Sequence, residues 1–496
     1  MSLRTFTAVV GHPRFDMGAL IEIDLRSLAL LRIGVAITVL IDLADRVRDL
    51  DALYGAAGVL PPALARSLWD VRVAASLFTW VAPWPSLLWA GVAALAIAAV
   101  CLALGLAPRL SAAAAWLLLA ALQDRNPGLY MSGDRYLLLL LMWCILLPTG
   151  ARLSLRPAPP GVMRIRSWAG AGLLLQIVLI YVLTGLKKTG AEWLDGTALW
   201  YALNQEQYVT AAGRWLRSQT ALIGSLSLVI KWVEIFGPLL VLSPVRNAAT
   251  RATAVGLFWI MHLGLHTFQA IGVFQLVGLA AWSAFLPSAL WDRLSPAKPA
   301  AEEGANRADQ RIRPARWSER FALVPLAYLA IVMVYTGAGL VIRGTAHYPV
   351  PAQVNKVSSF LHLQEGWAMF ASVGPYRTWY LAPGRLADGS EVEVLRRAPL
   401  DWTRPLNVQS AQRGFRWTLY LGNVIRRGLV EAPFQATYSP LLAYLCRDWN
   451  AHHEQERRLE HVSLAVVAEV IGGPGSLGDV TVGRHVFAAR DCPPAP

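Results

Sequence analysis

The chain has 496 residues, of which 55% are hydrophobic and only 16% charged, with a formal net charge of +13. Soluble domains carry about 25% charged residues, so an ordinary soluble fold is excluded and the deficit must lie in long uncharged runs. The positive balance is the one expected of arginine-rich inner loops in a membrane protein. With no zinc-finger spacing or basic–aromatic repeat, nucleic acid is not an expected partner.

Residues 1–26 mix polar and acidic residues without a cleavable signal pattern and are expected to be a retained cytoplasmic segment. A bundle is then expected over 27–293, because a bilayer-spanning helix needs about 20 mainly apolar residues. Apolar stretches fall near 27–45, 84–106, 110–123, 135–149, 167–187, 221–242, 250–267 and 270–288, with a last one near 321–342. Backbone polar groups inside lipid must be satisfied internally, and no ten-residue alternating segments suggest a barrel. The spans are therefore helices, about nine of them. Arg and Lys are concentrated in alternate connections, among them Arg152, Arg156, Arg164 and Arg166. That bias places the N-terminus inside and, with nine spans, the C-terminus outside.

Residues 294–318 are rich in Pro, Ala and charge and read as a cytoplasmic linker to a last transmembrane helix at 319–344. Beyond it, 345–496 changes character. Tyr376–Pro383 and Glu391–Arg397 flank Asp388-Gly389 as a β-hairpin, and Val462–Ile471 with Val480–Ala488 forms a second. Residues 412–427 and 440–459 have helical spacing. The expected fold is an all-α polytopic membrane bundle with a small extracytoplasmic α+β C-terminal domain, in the plasma membrane. Cys446 and Cys492 can pair if that domain is extracytoplasmic, whereas Cys101 and Cys144 lie in apolar spans.

The chemistry-bearing residues cluster in three spans. The fifth ends in Tyr181-Val-Leu-Thr-Gly-Leu-Lys-Lys188, followed by Trp193-Leu-Asp-Gly196. Tyr181, Thr184 and Lys188 share one helix face. Lys187 and Lys188 are either snorkelling interface lysines or supply a general base. A lysine acts as a base near neutral pH only if burial or a neighbouring cation depresses its pKa. Lys231 and Glu234, three residues apart in the sixth span, are either a self-satisfied ion pair or part of a site. His262 and His266 in the seventh are spaced as two ligands of one metal. With no HExxH glutamate and no clear third ligand, no metal is expected there. They read either as hydrogen-bonded buried histidines or as site residues near Lys188.

These residues resemble the HTTM (horizontally transferred transmembrane) domain family, related to the vitamin K-dependent gamma-carboxylases. The resemblance covers roughly 24–445. It is carried by Arg26-Ser-Leu-Ala-Leu-Leu-Arg32, Gly58-Val-Leu-Pro61, Gly185-Leu-Lys-Lys188 with Trp193-Leu-Asp-Gly196, Phe258-Trp-Ile-Met-His262 with Ile271-Gly-Val-Phe274, and Gln364 to Phe370. It implies that Lys188 is a base toward reduced vitamin K or another quinol, with Glu234 and His262 assisting. From their places on the fifth to seventh spans, Lys187, Tyr181, Thr184, His266, Lys231 and Trp193 are expected to line the substrate site. Where the carboxylases carry Asn-His-Ser-Tyr this chain has Asn126-Pro-Gly-Leu129, and after His262 an asparagine is replaced within Leu263-Gly-Leu-His266. These departures point away from glutamate carboxylation itself and leave lysine-based quinol chemistry open. Some relatives imply a different role: a non-enzymatic membrane factor for maturation, export or tolerance of a secreted peptide.

Overall fold

A computed structural model describes residues 17–158, 163–294, 311–346, 349–364, 367–475 and 478–493. Most of the N-terminal segment and of the linker expected at 294–318 lies outside the described residues.

The bundle is built from α1 (Leu25–Arg46), α2 (Pro85–Leu104), α3 (Pro108–Arg125), α4 (Ser132–Leu146), α5 (Trp168–Leu186), α6 (Thr220–Phe236), α7 (Asn247–Phe268), α8 (Phe274–Trp282) and α9 (Arg316–Arg343). Local chemistry sets their ends. Asp24 caps α1 by accepting the Arg26 backbone N–H at 2.8 Å, and Ser167 caps α5 by accepting that of Gly170 at 2.9 Å. Proline opens α2, and Gly105 at φ 70° closes it.

Five helical segments are long and apolar enough to cross a membrane: Leu25–Tyr54, Pro85–Leu104, Trp168–Leu186, Thr220–Leu242 and Arg316–Arg343. A sixth arises if the pair Phe274–Phe285 and Ser288–Leu294, bent by 94°, is one span. The other three expected stretches are helical but fall short of the same measure. α4 has only 15 residues, α3 ends in Gln123, Asp124 and Arg125, and the first turns of α7 are polar and include Arg251. Of the nine expected spans, five are helices that meet the measure on their own, one meets it only as a bent pair, and three do not.

Beside the bundle, three short strands bring distant connections together: β1 (Glu22–Asp24), β2 (Arg164–Arg166) and β3 (Arg311–Ile312). β2 pairs antiparallel with β1 and parallel with β3. Glu22 there meets Arg164 at 3.1 Å and Arg166 at 3.4 Å.

The C-terminal region is a six-stranded sheet with two long helices. β4 (Tyr376–Leu381) and β5 (Pro383–Leu386) lie along one edge of β8 (Leu459–Val470), and β9 (Val480–Asp491) pairs with β8 antiparallel. β5 turns at Asp388-Gly389, with Gly389 at φ 84°, into β6 (Glu391–Glu393), which carries β7 (Ala398–Pro399). The helices are α10 (Phe415–Val430) and α11 (Tyr438–Asn450). The helix expected over 440–459 stops at Asn450, and 459 already belongs to β8. A Cys446–Cys492 disulfide ties α11 to the chain just past β9.

This region shares a core with the bundle. Trp417, Tyr420 and Leu421 of α10 belong to the same buried apolar cluster as Leu28, Val35 and Val39 of α1. The seam also holds charge. Arg46 of α1 contacts Asp42 at 2.7 Å and Asp134 of α4 at 2.6 Å, and Arg416 of α10 reaches both aspartates. Burying charge is costly unless it is paired, and here each guanidinium meets two buried carboxylates.

Candidate functional site

The site forms where α5 ends against α6. Gly185 permits the close approach: a Cβ there would stand 2.7 Å from Ile235 Cγ1 and 3.2 Å from Glu234 Cβ. One turn on, Lys188 is only 1% exposed, and its Nζ pairs with the Glu234 carboxylate. Trp193 covers the ammonium, with Nζ 4.8 Å from the ring centroid, a cation–π distance. Trp193 Nε1 in turn donates to the Phe370 carbonyl at 2.8 Å. The chain after the last membrane helix therefore holds the tryptophan over the lysine.

A cavity of about 320 Å³ opens at this pair. Its polar lining residues are Lys188, Glu234, Thr184, Tyr181 and Gln269; the rest is largely apolar. Leu226, Val229, Ile230 and Val233 of α6 form one wall, and Leu257, Ile260, Met261 and Leu265 of α7 another. Leu199, Ala202, Leu203 and Leu216, from the connector between α5 and α6, close it together with Met369 and Phe370. Val229 and Ile260 are 53% and 71% exposed, so the cavity lies just inside the outward surface of these two helices.

Behind the cavity wall stands His262. Its Nε2 is 2.6 Å from the Tyr181 hydroxyl, and the ring fits only because residue 278 is glycine, where a Cβ would lie 2.1 Å from it. Phe258, stacked on Trp282 at 3.9 Å, packs against Tyr181 at 4.6 Å. His262 Nδ1 is buried and has no hydrogen-bond partner among the described residues.

The structure thus brings Lys188, Glu234, Tyr181, Thr184 and Trp193 to one cavity and places His262 behind it through Tyr181. Thr184 directs its hydroxyl to the Ile180 carbonyl at 2.6 Å, so it contributes mainly shape. Three expected lining residues do not line the cavity: Lys187, Lys231 and His266. Of the two readings left open for α6, the Lys231–Glu234 pair does not form: Glu234 turns to Lys188, while Lys231 lies 5.7 Å from the Trp232 ring. His266 is exposed. Among the described residues no His, Cys, Asp and Glu group could hold a metal.

Sequence reasoning missed the roof residues Met369 and Phe370, although they lie inside the Gln364–Phe370 stretch that carries part of the resemblance. It also missed the Asp42–Arg46–Asp134–Arg416 network. A signal was present: two ionisable residues four apart, Asp42 and Arg46, at the end of the first apolar span.

Long apolar helices around a buried lysine–glutamate pair define a multi-pass membrane protein with a lipid-compatible cavity. The HTTM domain profile matches residues 22–291, which include every residue of the Lys188 site except Met369 and Phe370. The chain belongs to the HTTM family. No curated protein and no solved structure matches it.

Proposed function

We propose that the chain is a membrane enzyme in which Lys188 acts as a base on a lipid-soluble, quinol-like substrate. The bundle sits with its N-terminus cytoplasmic and residues 345–496 outside. The observation that carries this reading is the placement of one buried amine, paired with one carboxylate, in a cavity otherwise nearly free of polar groups. An aromatic diol such as reduced vitamin K fits this lining: apolar walls for the ring and tail, and one base for the hydroxyl. When bound, such a group supplies an acidic O–H and, once deprotonated, an electron-rich ring that reacts with oxygen.

The Lys188 ammonium must first lose a proton to solvent; as the free amine it then takes the hydroxyl proton and becomes an ammonium again. Glu234 balances that charge, and the Trp193 face screens it from water. Tyr181, its hydroxyl held by His262, fixes the wall beside the lysine. A positioned general base contributes about 10²–10⁴-fold.

The test is oxygen uptake by the purified protein with a reduced naphthoquinone and a glutamate-containing peptide. Uptake that falls at least 100-fold in Lys188→Ala, while the variant folds, is the expected result. Equal uptake in that variant, or none in the wild type, rejects the reading.

A second reading, a non-enzymatic factor for a secreted peptide, is favoured by a groove of about 570 Å³ between the end of α1 and the C-terminal region. Its lining includes Arg48, Arg396, Arg397, Arg413, Asp49, Asp51, Asp448 and Trp89. Co-purification of one peptide that is lost in Arg396→Glu would support it.

A further inference from the structure

Most polar groups around the Lys188 cavity are already engaged. The Tyr181 hydroxyl meets His262 Nε2 at 2.6 Å, the Thr184 hydroxyl donates to the Ile180 carbonyl at 2.6 Å, and Trp193 Nε1 donates to the Phe370 carbonyl at 2.8 Å. Apart from the Lys188–Glu234 pair itself, the polar lining residue still to be accounted for is Gln269. It stands just past the C-terminal end of α7, only 3% exposed, with an extended backbone at φ −138° and ψ 135°.

Gln269 is held at every polar group but one. Its N–H donates to the Leu265 carbonyl at 2.9 Å, its backbone carbonyl accepts from Gln275 Nε2 at 3.0 Å, and its Nε2 donates to the Ala202 carbonyl at 3.2 Å. A carbonyl can only accept, so the Ala202 contact fixes which end of the amide is nitrogen. That leaves Oε1, which has no donor among the described residues. Nor is Oε1 one of the atoms sealed inside the protein without a partner, as Gln275 Oε1 is. The cavity is the open space that Gln269 lines, so the free acceptor faces the cavity. The apolar side chains of the lining, among them Leu203, Leu265 and Phe268, have no hydrogen to give it. The neighbouring backbone is pinned on both sides: Thr210 N–H donates to the Phe268 carbonyl at 3.1 Å, and Ala270 N–H to the Tyr208 carbonyl at 2.6 Å. The amide is therefore a fixed feature of the wall.

We propose that Gln269 is a binding residue for the molecule that occupies this cavity: its Oε1 accepts an O–H or N–H that the molecule carries in addition to the group at Lys188. The proposal rests on the reading of this cavity as the substrate site, but not on Lys188 acting as a base. It narrows the substrate to apolar molecules with two polar heads. It also gives the cavity a preference between oxidation states. The second hydroxyl of an aromatic diol donates to Oε1. In the corresponding quinone a carbonyl stands in its place, and a carbonyl is another acceptor. Two oxygens then face each other with no hydrogen between them, and a buried acceptor left unpaired is costly. The reduced form is retained and the oxidised form is released.

The full chain is placed in phosphatidylcholine nanodiscs under argon, and its melting temperature is followed as a dimethyl naphthohydroquinone or the matching quinone is added. The methyl groups block the ring positions at which the quinone would otherwise react with thiols and amines. A ligand that binds only the folded state gives a saturable rise. Gln269→Leu is expected to weaken the hydroquinone about 10-fold or more and to leave the quinone within about threefold, because only the hydroquinone loses a hydrogen bond. A merely structural role for Gln269 would weaken both ligands alike, so the ratio of the two affinities is the decisive quantity. If Gln269→Leu does not fold, Gln269→Met, which keeps an unbranched side chain of similar length, replaces it. Oxygen uptake tests Lys188 separately: a hydroquinone preference that depends on residue 269 stands even where the wild type takes up no oxygen. An unchanged ratio in the variant, or no saturable rise with either ligand in the wild type, overturns the proposal.

Discussion

Arg416 of α10 and Asp42 of α1 form a buried ion pair although 374 residues separate them in sequence. Asp134 and Arg46 complete the cluster. Removing one partner of such a group leaves an uncompensated buried charge, which costs about 3–5 kcal/mol. Arg416→Ala is therefore expected to lower the melting temperature sharply, with the bundle and the C-terminal region destabilised together. Two well-separated transitions in calorimetry, with the bundle transition unmoved, would contradict this.

Gly185 sets the distance between the lysine and its partner. Gly185→Val introduces a clash with Ile235 of the kind that costs about 1–3 kcal/mol. The expected outcome is a modest fall in stability and a much larger fall in any Lys188-dependent turnover, because α5 must move away from Glu234. Comparison of melting temperature with oxygen uptake checks it, and equal proportional losses would count against the role given to Gly185.

Tyr181→Phe removes the hydroxyl that meets His262 Nε2, and a buried polar group left without a partner costs about 1–3 kcal/mol. His262→Phe in the same background should recover part of that loss, since both polar groups are then gone. A double-mutant cycle on chemical denaturation measures it, and strict additivity would show that the contact carries no coupling.

The Cys446–Cys492 bridge spans 46 residues. In the chain-entropy view a closed loop of that length is worth about 4 kcal/mol. Reduction, or Cys492→Ser, is expected to loosen α11 and the two long strands. Faster amide exchange at 459–491 than at 25–46 would report it; unchanged exchange would place the stability of this region elsewhere.

Asp448 gives a pH dependence with a definite sign. Burial raises its carboxyl pKa, but Arg413 and Arg397 outweigh burial and hold it below the usual carboxylate range. A carboxyl depressed in the folded state contributes stability above its unfolded pKa, about 3.9, and loses it as pH falls through the lower folded value. Arg413→Gln should therefore move the acid-unfolding midpoint to higher pH in a tryptophan-fluorescence titration. A midpoint that stays in place removes Asp448 from the acid response.

What could be read from the sequence followed from local rules. Hydropathy located the apolar helices, and Asp388-Gly389 located a turn. Gly185-Leu-Lys-Lys188 marked the end of α5 as the place to look. Pairings between distant residues were not legible, because no local rule says which carboxylate meets a buried lysine. Glu234 has Lys231 three residues away on its own helix, yet it faces Lys188 across the α5–α6 seam. The two histidines of α7 show the same limit. They differ by about 40° around the helix and about 6 Å along it, enough for His262 to be fully buried and His266 to be exposed. The network around Asp42 was legible only as an anomaly, since its decisive member, Arg416, comes from a different part of the chain.

The shared core at α10 also bears on how this protein can vary. The family match ends at 291, but the charges on α1 and α4 are balanced by an arginine well beyond that point. A C-terminal region grafted from a relative would have to bring its own cation to the same place, or find Asp42 and Asp134 already replaced. Across the family, those acids and the residue at 416 are expected to change together, so the boundary of the recognised domain is not a place where the chain can be recombined freely.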